Sequence, residues 1–367
     1  FSKHFLGVKE TNKEIPVYDY QFSNDSVFIR VYDRGVPKEV LEIALQGKDT
    51  NSWKLDHFST THFPWGSDKR GRDLKSQVFH GARISILVGF FSLAIALLIG
   101  ITMGLVSGYF GGKVDSCIQF IISVMWTLPT FVLVLAFSVS LGKGLWQMML
   151  AIGLVSWVDI ARLVRGQVLS IKEKEYIQAT KILGYSHVRI LFKHILPILR
   201  GNILIVASAN FASAILLEAG LSFLGMGVEP PTPSWGMLIQ EHYSFITFGK
   251  AYLALIPGLC LASLVLSVNL LSNAMKYSGT GIEVQARING ANDHITIVVV
   301  DQGIGIPEEN QANMFNTFHR ANNVGTIQGT GLGLAIVKRA VDTHGGTINF
   351  KSIENQGTMF VVTLPTS

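Results

Sequence analysis

ISILVGFFSLAIALLIGITMGLVSGYFGG, residues 84–112, contains no charged side chain. The hydrocarbon core of a bilayer needs ~20 consecutive apolar residues in a helix, so this stretch predicts a membrane span. Further runs follow it. Residues 116–142 are uncharged, as are 144–158, where Asp159 interrupts. Residues 201–217 are uncharged up to Glu218, then 219–228, and finally 251–275. Helices are therefore expected near 84–107, 117–141, 145–163, 203–226 and 250–271. Five such runs in succession argue against a water-soluble helical fold, whose helices average ~11–12 residues.

The chain has 367 residues, 49% of them hydrophobic and only 15% charged, against roughly 25% charged in a typical soluble domain. The charge is concentrated at the two ends. Residues 1–83 carry 13 Lys/Arg and 11 Asp/Glu, 84–271 carry 11 and 7, and 272–367 carry 6 and 7. A membrane middle with two water-soluble flanks follows: an extracytoplasmic region over 1–83, a transmembrane domain over 84–271 and a soluble domain over 272–367. The net charge of +5 forms no dense basic stripe, so nucleic acid is not an expected partner. Cys117 and Cys260 both lie inside apolar runs, so neither a CxxC site nor a disulfide framework is expected.

Orientation follows from the cytoplasmic bias of Lys and Arg. Segment 162–200 holds Arg162, Arg165, Lys172, Lys174, Lys181, Arg189, Lys193 and Arg200 against Glu173 and Glu175, and is expected inside. Residues 1–83 and 227–249 then lie outside, and the tail lies inside. An external head needs a route across the membrane, so a further helix is expected before Phe1. The head's aromatics, between Tyr18 and Trp53, read as a small core. Two carboxylates, Asp159 and Glu218, fall within spans. An intramembrane carboxylate is a functional candidate, weighed against a structural bond between helices; Asp159, three residues before Arg162, is placed to pair with it along the helix.

EYIQATKILGYSHVRILFKHILP (175–197) reads as a short amphipathic helix, a turn at Gly184 and a second helix ending at Pro197. This segment resembles the EAA loop of ABC-importer permeases, with Ala179, Gly184, Leu196 and Pro197 on the pattern and Gln178, Thr180 and His194 departing from it. Three further stretches resemble the dipeptide/oligopeptide permease branch: FPWGSDKRGRDLKSQVFHGARISILVG (63–89), WVDIARLVRGQVLSIKEKEYIQA (157–179) and LLEAGLSFLGMGVEPPTPSWGMLI (216–239). The resemblance implies a multi-pass subunit of the bacterial cytoplasmic (inner) membrane, working by alternating access. It also implies a second permease subunit, an extracytoplasmic peptide-binding protein and a separate P-loop ATPase docked on the loop at Gln178, Ala179, Thr180, Gly184, Leu196 and Pro197. No GxxxxGK[ST] occurs in this chain, so the transport ATPase is expected on another polypeptide.

A different text begins at Asn269. Asn269 and Asn273 are four apart and share one helix face; an Asn carbonyl there suits Mg²⁺ beside phosphates. ITIVVVDQGIGIP (295–307) is a strand leading to Asp301, Gly303 and Gly305, where a carboxylate can accept from an adenine amino group. MFNTFHR (314–320) follows, and GTGLGLAIVKRAVDTHGG (329–346) is a glycine loop opening a helix, suited to phosphate oxygens. Together these resemble the N, G1, F and G2 boxes of the histidine-kinase ATP-binding domain, an α/β sandwich. The resemblance implies ATP and Mg²⁺, with Asn269 and Asn273 in the N box and Asn273 on the metal. It puts Lys276 and Tyr277 near the nucleotide and Asp301 on adenine. Gly303 and Gly305 then shape the base pocket, and Gly329, Thr330, Gly331 and Gly333 the phosphate loop.

The expected fold class is thus a multi-helical integral membrane domain of the ABC-importer permease type, followed by a C-terminal α/β sandwich of the histidine-kinase ATPase type that is incomplete at its start. None of the ten histidines is followed by the acidic, basic and Pro pattern of a kinase phosphoacceptor site. A peptide-permease subunit joined to an ATP-binding domain is the expected function; a membrane sensor kinase lacking a recognisable acceptor is the alternative. The two texts meet at 269–271, where a junction of two unrelated genes, natural or from sequence assembly, is expected; a genuine fusion whose tail senses or regulates transport is the alternative.

Overall fold

The computed structural model describes residues 17–365, apart from 24–25, 34–35, 46–48, 51–53, 55–56, 59–62, 69–70, 229–230, 279–281, 290–293, 317–318, 325–332 and 344. The head forms an antiparallel meander of β1 (Val17–Ser23), β2 (Ser26–Asp33) and β3 (Val36–Ala44). Buried Val27, Ile29 and Leu45 are covered by Tyr20, Phe22 and Phe58. Tyr20 lies 4.6 Å from Phe58, centroid to centroid, so these aromatics build a core.

Helix α1 (Leu74–Phe110) starts ten residues before the expected span. Asp73 caps it, its carboxylate accepting from the backbone N–H groups of Lys75 and Ser76 at 3.2 and 3.0 Å. Its first turns are amphipathic. Leu74 and Val78 pack on Trp235, Leu238 and Leu253, and the Trp235 indole donates to the Val78 carbonyl at 3.0 Å. Gly111, at φ 67°, ends the helix.

The expected span 117–141 is instead two helices, α2 (Gly112–Thr127) and α3 (Thr130–Leu141), bent by 97°. Pro129 causes the break. It lacks an N–H and forces Leu128 out of the helical region, to φ −99°, ψ 141°. Helix α4 (Leu145–Ile171) packs along α1, burying Ala96 and Leu105 among Ile160, Ala161 and Val164. Arg165 of α4 makes a bidentate pair with Asp115 of α2, at 2.6 and 2.7 Å, and the Ser107 hydroxyl also donates to Asp115.

The loop forms α5 (Glu175–Ile182), a turn at Gly184 (φ 73°) and a short helix His187–Arg189. The second helix does not end at Pro197. It continues through a π-helical stretch, Ile190–Ile195, into α6 (Leu196–Phe223). Pro197 sits in the first turn of α6, where its missing N–H is tolerated, and the wider π turn precedes it. Helix α7 (Trp235–His242) and helix α8 (Tyr252–Tyr277) complete the bundle. Among the described residues, four helices are long and apolar enough to cross a membrane, or five if the bent pair counts as one span.

Helix α8 runs on into the tail. There an antiparallel sheet, in the order β4 (Ile282–Asn289), β5 (His294–Asp301), β7 (Gly357–Pro365), β6 (Thr347–Ile353), receives α8 and α10 (Gly333–Thr343); the four-residue α9 (Glu308–Gln311) follows β5. Leu266, Leu270 and Ala274 of α8 and Val337 and Val341 of α10 pack on Val299, Phe360 and Val362.

Candidate functional site

Helix α8 carries Asn269, Asn273, Lys276 and Tyr277, and the end of β5 carries Asp301. These five and Gly305 line one cavity of about 610 Å³, within the size range of small-molecule sites. Asn269 donates to the Val265 carbonyl of its own helix at 2.9 Å. The Lys276 ammonium lies 4.9 Å from the Tyr277 ring centroid. Asp301 is buried, and its carboxylate accepts from the Gly303 N–H at 2.9 Å. Burial pushes this carboxyl up from the ordinary aspartate value, opposed by the Gly303 and Thr358 amides.

The two glycines of the loop after β5 allow close backbone approach. A Cβ on Gly303 would meet the Tyr277 carbonyl oxygen at 2.4 Å. One on Gly305, at φ 63°, would meet the Ile353 carbonyl oxygen at 2.1 Å. Asn323 ties the loop down, donating to the Gly305 carbonyl at 3.0 Å. Gly333 begins α10, whose Leu334 reaches the cavity. Gly329, Thr330 and Gly331 lie outside the described residues, as does Phe318. Phe315 packs edge-on against Phe350 at 5.7 Å and belongs to the core.

Sequence reasoning missed the opposite wall. It is helix α6, with Val206, Asn210 and Ser213, and Asp159 of α4. An Asn and a Ser three residues apart in an apolar span share a face, and that spacing was the available signal. Among the described residues Asp159 and Arg162 make no direct ion pair, although the Arg162 charge acts on Asp159. The Arg162 guanidinium stacks on the Trp126 ring, 3.6 Å from its centroid. Glu218 is fully buried and structural: the Ser85 and Ser222 hydroxyls donate to its two oxygens, each at 2.8 Å, joining α1 to α6.

On the loop, Ala179 and Gly184 are exposed, while Thr180 is buried and bonds back to the Ile177 carbonyl at 2.7 Å. The Gln178 amide donates to the Lys172 carbonyl at 2.9 Å. Leu196 and Pro197 are half-buried at the start of α6. Around them an apolar surface faces outward: Ile182 is 87% exposed, Leu183 69%, Val188 66% and Phe192 57%. The loop is fixed to the end of α1 by a 2.9 Å hydrogen bond between the Tyr109 hydroxyl and His187.

Residues 84–276 match the family model described as "Binding-protein-dependent transport system inner membrane component". The chain belongs to that family. Residues 265–367 match a second, "Histidine kinase-, DNA gyrase B-, and HSP90-like ATPase", and the tail is an ATPase domain of the histidine-kinase type. The permease region resembles the dipeptide transport system permease protein DppC of Alkalihalophilus pseudofirmus, 37% identical over 229 residues, covering 62% of this chain and 75% of that one. It also resembles the oligopeptide transport system permease protein OppC of Bacillus subtilis, 39% identical over 199 residues, covering 54% and 65%. Against OppC, therefore, the chain spans just under two thirds of its relative's length. A solved structure of the mycobacterial sensor histidine kinase MprB is 35% identical to the tail, covering 29% of this chain and 73% of that one, with a TM-score of 0.26.

Proposed function

We propose that residues 84–271 act as one permease subunit of a bacterial peptide importer of the inner membrane, carrying a cytoplasmic ATP-binding tail over residues 272–367. The exposed apolar surface on the basic loop is the observation that carries the permease reading. Ile182, Leu183, Val188 and Phe192 stand where a separate P-loop ATPase docks, next to Ala179 and Gly184. A second permease subunit lines the pathway, and an external binding protein delivers the peptide. Lys/Arg placement puts the loop and the tail inside.

The test is ATP-driven peptide uptake into vesicles reconstituted with all these partners. Gly184→Val separates coupling from assembly. A side chain at a left-handed position costs ~1–2 kcal/mol, enough to remodel the docking turn while leaving the spans. Uptake is expected to fall at least tenfold with an unchanged amount of chain in the membrane. Unaltered uptake in Gly184→Val removes the loop from the mechanism.

In the tail, the convergence of Asn273, Lys276, Tyr277 and Asp301 on one cavity supports ATP binding, with Asp301 accepting from the adenine amino group and Asn273 holding Mg²⁺ beside the phosphates. The raised Asp301 carboxyl gives the pH dependence a sign. Acidification protonates Asp301 at a higher pH than an ordinary aspartate and removes an acceptor from the base. Affinity for a fluorescent ATP analogue is expected to fall in that range, and Asp301→Asn to flatten the profile. Stability runs the other way. The folded state holds this proton more tightly than the unfolded chain, so stability rises as pH falls through the folded value. A stability loss that tracks the affinity loss contradicts this assignment.

A further inference from the structure

A second cavity, of about 430 Å³, lies between α2, α3, α4 and α6, and it shares Asp159, Asn210 and Ser213 with the wall of the tail cavity. Its polar side chains come from distant parts of the chain: Thr130 from α3, Ser156 and Asp159 from α4, and Asn210 and Ser213 from α6. Ser156 and Asp159 are three apart, as are Asn210 and Ser213, so each pair presents one face of its helix. Two polar faces thus meet across a space otherwise walled by apolar residues such as Leu216 and Leu217.

Asp159 is exposed to this space. A carboxylate at membrane depth is expensive unless a cation or donors meet it. The Trp126 indole approaches Asp159 as a donor, and of the two arginines of α4 only Arg162 is near enough for its charge to act on it. Arg165 is held by Asp115 at 2.6 Å, and Arg162 stacks on Trp126. Among the described residues no Lys or Arg forms an ion pair with Asp159. What the cavity offers is one negative charge with amide and hydroxyl oxygens able to accept, beside a Trp126 ring that Arg162 already covers. That set suits a primary ammonium: three N–H donors and a compact positive charge.

We propose that Asp159, Asn210 and Ser213 form a subsite for the free α-ammonium group of the transported peptide. The inference rests on the reading of residues 84–271 as a peptide permease and names the end of the peptide that this subunit holds. Trp126 supplies the readout. The full chain, purified in detergent, is titrated with alanyl-alanine, with N-acetyl-alanyl-alanine and with methylammonium, following tryptophan fluorescence; Trp126→Phe assigns the signal. Saturable binding of alanyl-alanine is expected, weakened at least tenfold by acetylation and by Asp159→Asn, and partly restored by Asp159→Glu. Equal binding of the two dipeptides, or of alanyl-alanine to wild type and Asp159→Asn, overturns the subsite and leaves the peptide reading standing. An Asp159-dependent response to methylammonium with none to either dipeptide overturns the peptide reading instead. Silence with all three probes overturns the proposal.

Discussion

A chain carrying Gly104→Leu is expected to yield no stable membrane domain, the largest effect of any single substitution in the permease region. Gly100, Gly104 and Gly108 are spaced by four along α1 and face α4. A Cβ at Gly104 would lie 2.7 Å from both the Ala161 carbonyl oxygen and the Val164 Cβ. At Gly100 it would lie 2.7 Å from the Ile160 Cβ, and at Gly108 2.8 Å from the Val168 Cβ. These are backbone and branched Cβ atoms, with no flexible end to move aside. In lipid, helices associate through close packing rather than a hydrophobic drive, so forcing α1 from α4 removes what holds them together. Overpacking of a core costs ~1–3 kcal/mol or more, and here a whole leucine is added. Gly166→Leu is the control: it lies on α4 with nothing within 4 Å and adds the same side chain. Size-exclusion profiles and thermal unfolding in detergent decide it. Equal recovery and melting of the two variants contradicts the packing argument.

Those glycines also show what the sequence reveals and what it hides. The uncharged runs announce the spans because lipid imposes a length and an apolar composition on any helix crossing it. The G-x-x-x-G spacing was equally legible, since only small residues permit such an approach, yet composition alone passes over it. The break at Leu128–Pro129 was hidden in an uncharged run; hydropathy carries no direction, and only the proline's covalent geometry turns the chain. Helix α1 begins early because Asp73 caps it and Leu74 and Val78 pack on α7 and α8, partners more than 150 residues away. In the tail, Asn273 and Asp301 were readable as candidates because one lies on a helix face and the other ends a strand, whereas Tyr277 came only from the family resemblance. Asn210 and Ser213 were not, because only the tertiary fold brings α6 against that cavity. Asp159 was visible, but its approach to Trp126 of α2 depends on the tertiary fold.

Helix α8 serves two cores. Leu253, Ile256, Cys260, Leu261 and Leu264 pack with Leu74, Val78 and Trp235 of the membrane domain. Leu266, Leu270 and Ala274 pack with Val299, Val341 and Phe360 of the tail. The two family matches overlap across the same residues, 265–276. One apolar spacing satisfies both units, which is why the junction expected at 269–271 leaves no mark in the local sequence. Length sharpens the conflict. If the tail's core claims α8 from Leu266, about 14 residues remain before it, or ~21 Å at 1.5 Å each, short of the ~30 Å hydrocarbon core. If twenty residues cross instead, Leu266 and Leu270 sit at membrane depth.

Leu270→Asp is expected to choose between these placements. In the sheet core, where Leu270 is 2% exposed, an unpaired carboxylate costs several kcal/mol, a large share of the ~5–15 kcal/mol that holds a domain folded. Binding of the fluorescent ATP analogue is then lost outright and residues 282–365 become protease-sensitive, as they do in Val341→Asp, which lies on α10 in the same core. The membrane helices hold α8 through Leu253–Leu264 and through the Ser272 hydroxyl, which donates to the Ile205 carbonyl of α6 at 3.4 Å, and they stay monodisperse in detergent. Were Leu270 in lipid, the aspartate would cost ~2.5–3.5 kcal/mol of insertion, damaging the span and sparing the tail cavity. Intact analogue binding in Leu270→Asp beside its loss in Val341→Asp therefore assigns the second half of α8 to the membrane, and the sheet must complete its core without it.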